Sequence, residues 1–174
     1  ALQADVTRPE HVQKLVEATL KQFGRVDILV NNVGEFGWRA VHESTIEEWG
    51  HILASNLLSV VYTSKQVIPV MRRQRWGRIV NLGAVGAERA FGQAKISAFA
   101  AAKAAVVAFT RSLAGQLLPR GIRVNAVAPG PVWTPLNPAD RKAEDVAQFG
   151  AKAPMNSQID MAITSVPGVA PQIK

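Results

Sequence analysis

The chain has 174 residues and a net charge of +7, and 48% of its residues are hydrophobic. This length suits a single domain, and the apolar content is enough for a packed core. The sequence contains no cysteine, which excludes disulfides, thiolate metal sites and a cysteine nucleophile. No uninterrupted apolar run approaches the roughly 18 residues of a membrane span. Since the first residues do not resemble a signal peptide, we predict a cytoplasmic protein.

Short apolar runs alternate with amphipathic segments in the first half of the chain. Residues 1–6 are predicted to be the end of a strand, and residues 9–23 an amphipathic helix. The continuous apolar run 26–31 predicts a strand that is buried on both faces. Residues 45–74 then predict one long helix, which starts with a capping-box pattern.

The same alternation continues through the second half. Residues 78–82 predict a strand, residues 97–118 a second long helix with a clean apolar stripe, and residues 122–128 another strand. Strands and helices that alternate in this way indicate βαβ units and a parallel sheet covered on both faces. The predicted fold class is therefore α/β, with a doubly wound parallel sheet.

Beyond residue 129 the pattern loosens. Residues 140–150 predict a short helix, whereas residues 155–174 show no sustained period. We therefore expect one partial α/β domain over residues 1–154, followed by a divergent tail.

Basic residues are densest at 72–78, where a helical pattern ends. Cations at a helix C-terminus interact favourably with the helix dipole, and no aromatic residues alternate along this cluster as they do in nucleic-acid-binding surfaces. The cluster therefore favours a helix end over a nucleic-acid contact. A pocket for a phosphorylated small molecule is the other interpretation of the positive charge.

Five local patterns occur in order on these predicted elements. They are Asp5-Val6, Asn31-Asn32-Val33-Gly34, Asn56, Phe99-Ala-Ala-Ala-Lys103 and Pro129-Gly130-Pro131-Val132-Trp133-Thr134. Together with the strand spacing, they resemble the short-chain dehydrogenase/reductase family, in particular its bacterial carbonyl and alcohol reductases. The resemblance covers residues 1 to about 154 and implies a Rossmann-like fold.

This resemblance implies binding of NAD or NADP. Ligands of open parallel sheets lie beyond the carboxyl ends of the strands, where these patterns occur. Taken singly, the patterns at 31–34 and 129–130 also fit ordinary turns. Lys103 also fits a solvated lysine, and Asn56 a helix kink or a hydrogen-bonded polar core residue. The positions that the resemblance assigns to the cofactor are Asp5, Val6, Asn32, Gly34, Lys103, Pro129, Gly130, Val132 and Thr134.

The resemblance also implies a catalytic set, from which this sequence departs. The family's lysine, here Lys103, holds the nicotinamide ribose and lowers the pKa of a tyrosine four residues earlier, and Asn56 matches an asparagine that anchors a water in the proton relay. Phe99 stands at the tyrosine position, and it has no ionisable group. Ala84, or Gly86 in another alignment, stands where the family has the serine that polarises the substrate carbonyl.

The hydroxyl of Ser97 is an alternative donor, with a different geometry. Further parts of the family pattern are not found in this sequence. We expect the first two βα units, with their glycine-rich cofactor loop, and the final strand to be missing. The prediction is thus a family member whose NAD(P)-dependent oxidoreduction of a small carbonyl or alcohol is impaired or lost.

The alternative is a non-catalytic fragment or oligomerisation module. In the family the two long helices, here residues 45–74 and 97–118, pack against their copies in a partner subunit. We therefore expect a homo-oligomer without nucleic-acid or membrane partners. The apolar residues expected on the association faces are Trp49, Leu53, Leu57 and Val61, and Val106, Phe109, Leu113 and Leu117. No metal site is predicted, because His11, His42 and His51 lack the spacing of metal ligands.

Overall fold

A computed structural model describes residues 1–84 and 95–129. Within these ranges, α-helices alternate with the strands of one sheet. In chain order the elements are α1 (Pro9–Phe23), β1 (Ile28–Asn31), α2 (Ile46–Leu53), a π-helical segment (Ala54–Leu58), α3 (Ser59–Gln74), β2 (Gly77–Leu82), α4 (Ser97–Leu117) and β3 (Ile122–Val127). Short 3₁₀ turns lie at Val41–Glu43 and Leu118–Arg120.

The strands form a parallel sheet in the order β1-β2-β3. Val30 of β1 lies opposite Val80 of β2, and Val80 lies opposite Asn125 of β3. Because parallel neighbours must be joined by crossover connections, the intervening helices return the chain to the same end of the sheet each time. The predicted α/β class with a parallel, Rossmann-like sheet is confirmed.

The helices cover one face of this sheet. Met71 of α3 and Leu117 of α4 pack with Ile79 and Val124 in the main hydrophobic cluster, and α1 contributes Val16 at its border. On the opposite face of β1, Ile28 and Val30 are 60% and 57% exposed. Within the described residues, therefore, the prediction of a sheet covered on both faces is not met, because α1, α3 and α4 all pack on the same side.

Residues 1–5 form no strand, so the prediction of a strand end over residues 1–6 is wrong. A strand requires a neighbour with which to exchange backbone hydrogen bonds, and no described strand pairs with this segment. Strand β1 also starts two residues later than predicted. The reason is that the side-chain amide of Gln74 occupies both backbone groups of Val26, accepting from its N–H at 3.2 Å and donating to its carbonyl at 2.9 Å.

The long helix predicted over residues 45–74 exists, but it contains the π-helical segment. Its start is a capping box, in which Glu48 N–H donates to Thr45 Oγ1 at 3.1 Å and Thr45 N–H donates to the Glu48 carboxylate at 2.9 Å. Polar side chains within the segment bond to helix carbonyls, since Asn56 donates to Ile52 O and Ser59 to Ser55 O. Such side-chain bonds compete with the helical ladder, and π-segments often occur at functional sites.

Helix α4 carries the predicted apolar stripe. Three of its residues, Val106, Leu113 and Leu117, are buried inside the domain. They are therefore core residues, and the prediction that they belong to an association face is wrong. Phe109 and the α2–α3 residues Trp49, Leu53, Leu57 and Val61 are only half-buried.

By length and composition, the stretch Ser97–Arg120 is apolar enough to cross a membrane, with a mean hydropathy of 1.2. It is not an uninterrupted apolar run, because Lys103 and Arg111 lie within it. The core helix of a soluble protein passes the same test, and α4 packs against β2 and β3.

A buried polar network crosses the core. Thr63 Oγ1 of α3 donates to Asn31 Oδ1 of β1 at 2.7 Å, and Asn31 Nδ2 donates to Asn81 Oδ1 of β2 at 2.8 Å. Asn81 Nδ2 then donates to Thr110 Oγ1 of α4 at 2.8 Å. Both asparagines are buried, so these bonds fix β1 and β2 against the two long helices.

Candidate functional site

The segments after the three strands meet at one edge of the sheet. Asn32 and Gly34 follow β1, Ala84 follows β2, and Pro129 follows β3. All three strands are parallel, so these residues lie at their carboxyl ends, where α/β sheets bind ligands.

Lys103 enters this edge from α4. It is 5% exposed, and its Nζ donates to the carbonyl oxygen of Leu82, the last residue of β2, at 2.8 Å. Burial lowers the pKa of Lys103 from its ordinary value of 10.5 to about 8, because the charged form loses water. An ammonium group has three donors, so two more could serve a ligand at this edge.

Asn56 lies in the π-helical segment and is fully buried. Its Nδ2 donates to Glu35 O at 2.8 Å and to Ile52 O at 3.0 Å, whereas its Oδ1 accepts no hydrogen bond from the described residues. A buried amide oxygen without a donor is costly, so this atom is ready to accept a hydrogen bond from a water or a ligand.

Gly34 lies directly against these groups. A Cβ added at this position would lie 2.5 Å from Asn56 Oδ1 and 3.5 Å from Lys103 Nζ. Glycine is therefore required here by space, and the backbone after β1 approaches both polar side chains closely.

Phe99 lies one helical turn before Lys103, with its ring centroid 5.8 Å from Lys103 Nζ. The ring packs against Phe36 at 4.8 Å with a 57° tilt, and Phe36 in turn packs against Trp38 at 5.7 Å. Aromatic pairs at these distances stabilise each other. The wall of the site at position 99 is therefore apolar and holds no titratable group.

The structure thus brings Gly34, Asn56, Phe99 and Lys103 together. Ala84 is half-buried two residues after Leu82, and Ser97 is the first residue of α4. The predicted roles of all these residues remain predictions.

The predicted cofactor residues outside this group are less concentrated. Asp5 and Val6 lie in the turn before α1, where the Asp5 carboxylate accepts from the amide and hydroxyl of Thr7 at 2.9 and 2.6 Å. The Thr7 hydroxyl, and then its amide, lower the pKa of Asp5. Asn32 is exposed and Pro129 half-buried. The predicted positions outside the described residues are Gly86, Gly130, Val132 and Thr134.

Sequence reasoning missed the Leu82 carbonyl and Phe36 at the site, and Asn81 in the buried network. A backbone carbonyl leaves no signal in a sequence. Phe36 and Trp38 follow Gly34 closely, and this aromatic pair after a strand end was the available signal. Asn81 lies inside an apolar strand run, as Asn31 does, and such an interruption indicates a buried hydrogen bond.

In the part of the chain that the structure describes, no group of three or more histidine or acidic side chains could hold a metal ion. Among the described residues, the candidate site combines the Lys103 amine, the Asn56 amide and an aromatic wall.

The chain is similar to several known proteins. The sequence model described as enoyl-(acyl carrier protein) reductase matches residues 1–164. The chain is 37% identical over 156 residues to the glucose and ribitol dehydrogenase of Daucus carota, covering 89% of this chain and 52% of that protein. It is 41% identical over 151 residues to the 3-oxoacyl-acyl-carrier-protein reductase FabG of Vibrio cholerae, covering 84% and 61%.

A solved structure from Burkholderia xenovorans, assigned to the short-chain dehydrogenases/reductases, superposes with a TM-score of 0.80 at 32% identity. The match covers 88% of this chain and 59% of that one. The chain spans about half the length of the curated relatives it matches, from 51% to 61% of each.

Proposed function

Because the chain belongs to the short-chain dehydrogenase/reductase family of oxidoreductases, we propose that it binds NAD or NADP and that its reduction of small carbonyl compounds is weakened. The observation that carries this proposal is Phe99. Its ring stands one turn before Lys103, at the site edge, where the family resemblance calls for a proton donor.

The residues present fit a nicotinamide nucleotide. Lys103 offers ammonium donors beside Gly34, and the buried Oδ1 of Asn56 accepts no hydrogen bond from the described residues, so it can accept one from a ligand. Asn32 is exposed at the same strand end. When bound, this cofactor supplies or accepts a hydride. The chain's own side chains would hold the ribose and orient it.

The weak point of the site is proton transfer. A positioned general acid contributes about 10²–10⁴ in rate, and a donor to the developing oxyanion contributes a comparable factor. Phe99 and Ala84 supply neither. The two losses do not multiply, because such groups act as a unit. The hydroxyl nearest to Phe99 in the sequence is that of Ser97, the first residue of α4.

The substrate class and the assembly state belong to this proposal as well. The family's reaction and the relatives' names support a small carbonyl or alcohol, and the half-exposed residues of α2 and α3 support a homo-oligomer. A cytoplasmic location remains a prediction.

Two measurements test the proposal. Titration of the chain with NADH and with NADPH, followed by nicotinamide fluorescence, should show saturable binding. The double variant Phe99→Tyr/Ala84→Ser should reduce a generic ketone at least about 100-fold faster than the parent chain. Phe109→Tyr, which adds the same hydroxyl to the same helix away from Lys103, is the matched control and should give no gain.

The two measurements test the nucleotide site and the limiting role of positions 99 and 84 separately. Absence of cofactor binding at millimolar concentration would refute the nucleotide site. Binding without a rate gain in the double variant would refute the view that positions 99 and 84 limit the reaction.

A further inference from the structure

A second cavity lies beside the candidate site, on the other side of Phe36. It has a volume of about 570 Å³, is open on one side, and is lined by residues 36–39, Ser44, residues from both halves of α2, and Ala98 in the first turn of α4. This volume is in the range of small-molecule sites. The Phe36 ring that contacts Phe99 also lines this cavity, so the two sites share one wall.

Three aromatic residues form the cavity's apolar walls: Phe36, Trp38 and Trp49. Phe36 and Trp38 pack at 5.7 Å with a 32° tilt. The indole of Trp49 is held by its Nε1–H, which donates to Ser44 Oγ at 2.9 Å. The faces of aromatic rings carry partial negative charge, and several rings around one space are suited to an organic cation.

The charge of this region is opposite to that of the chain. The lining has two carboxylates, one guanidinium and one histidine, although the whole chain has a net charge of +7. Glu47, Glu48 and Arg39 line the cavity. Arg39 Nε lies 3.2 Å from the Glu48 carboxylate, so these two charges offset each other. His51 is the histidine in the lining, and its ring contacts the Glu35 carboxylate.

Glu47 leaves a net negative charge in the lining. Its own backbone amide, and then the Thr45 side chain, lower the pKa of its carboxyl, so it is ionised at neutral pH. None of the ion pairs between described residues includes Glu47.

We propose that this cavity binds a small quaternary ammonium compound, with the cationic head against the rings of Phe36, Trp38 and Trp49 and with Glu47 as its counter-charge. This ligand differs from the nucleotide and carbonyl compound of the proposed function. The two sites are independently testable, because neither Lys103 nor Asn56 lines the cavity.

The experiment uses choline and its uncharged isostere 3,3-dimethylbutan-1-ol. Both are titrated against the full chain at constant ionic strength, which is maintained with sodium chloride. Tryptophan fluorescence is a suitable readout, because Trp38 and Trp49 are two of the four tryptophans. Glu47→Gln removes the counter-charge and keeps the shape of the side chain. Glu17→Gln on the exposed side of α1 is the matched control.

Choline should saturate the fluorescence change, and the alcohol should bind about tenfold more weakly, since it lacks the cation–π attraction. Glu47→Gln should weaken choline binding about threefold, whereas Glu17→Gln should leave it unchanged. Equal binding of choline and the alcohol would overturn the proposal, because the cavity would then be merely apolar. Absence of a choline response, or equal effects of the two glutamate variants, would overturn it too.

Discussion

Replacing one asparagine of the buried network should cost much of the protein's stability. Asn81→Leu keeps the branched shape of the side chain, at a larger volume, and removes the acceptor of Asn31 Nδ2. Among the described residues, that Nδ2 has one other partner, Ser64 Oγ at 3.4 Å, which is too long for a strong bond. Thr110 Oγ1 still donates to Val106 O at 2.7 Å, so only one buried donor is left unsatisfied.

An unsatisfied buried donor costs about 1–3 kcal/mol, and we expect Asn81→Leu to lower the free energy of unfolding by about 2 kcal/mol. Asn31→Leu should cost a similar amount, because it leaves the Asn81 Oδ1 without its donor. The double variant removes both halves of the pair. It should therefore be more stable than the sum of the single effects predicts, by at least about 1 kcal/mol.

The assay is urea unfolding followed by tryptophan fluorescence. Asn125→Leu is the matched control, because Asn125 is half-buried on the open face of the sheet, opposite Val80. It should change stability by less than about 0.5 kcal/mol. Additive effects of the two core substitutions, or single effects as small as the control, would refute the assignment of the network as a stabilising pair.

Two further predictions concern the candidate site. Gly34→Ala should destabilise the protein by about 1–3 kcal/mol, because its Cβ would lie 2.5 Å from Asn56 Oδ1. Gly50→Ala in α2, whose Cβ would meet nothing within 4 Å, should instead stabilise it by about 0.5–1 kcal/mol. Thermal unfolding that showed the same change for both variants would contradict this prediction. Burial lowers the pKa of Lys103 from 10.5 to about 8, so the unfolded chain binds more protons than the folded chain between these two pH values. The free energy of unfolding should therefore rise with pH across this window, by up to about 3 kcal/mol. Unfolding measured from pH 7.5 to 10.5 should show this rise in the parent chain and not in Lys103→Met, and equal slopes would exclude Lys103 as its source.

The regular parts of the fold were predictable from local signals. The α4 stripe and the apolar strands 78–82 and 122–128 each carry their own period, and the capping box at Thr45 can be read directly. The strand predicted at residues 1–6 does not form, because a short apolar run becomes a strand only when a neighbouring strand pairs with it. A local sequence pattern does not show whether such a neighbour is present.

The site was only partly predictable for the same reason. Motif order indicated Gly34, Asn56, Phe99 and Lys103, and these four residues do meet. The contact of Phe36 with Phe99 and the pairing of Asn31 with Asn81 depend on strand register and on the path of the loop after β1. The π-helical segment left no separate signal either, since the periods of α2 and α3 are both ordinary helix periods.

That segment, Ala54–Leu58, also decides which length changes the chain can accept. A π-turn holds about one residue more than an α-turn, and one residue of an α-helix corresponds to a rotation of about 100°. Removing a single residue here would restore an unbroken α-helix and would turn α2 by about that angle relative to α3. Asn56 would then no longer contact Gly34, and Trp49 would no longer line the cavity beside Phe36. Insertions and deletions that elsewhere change only a surface turn would here alter the candidate site and the cavity beside Phe36 at once.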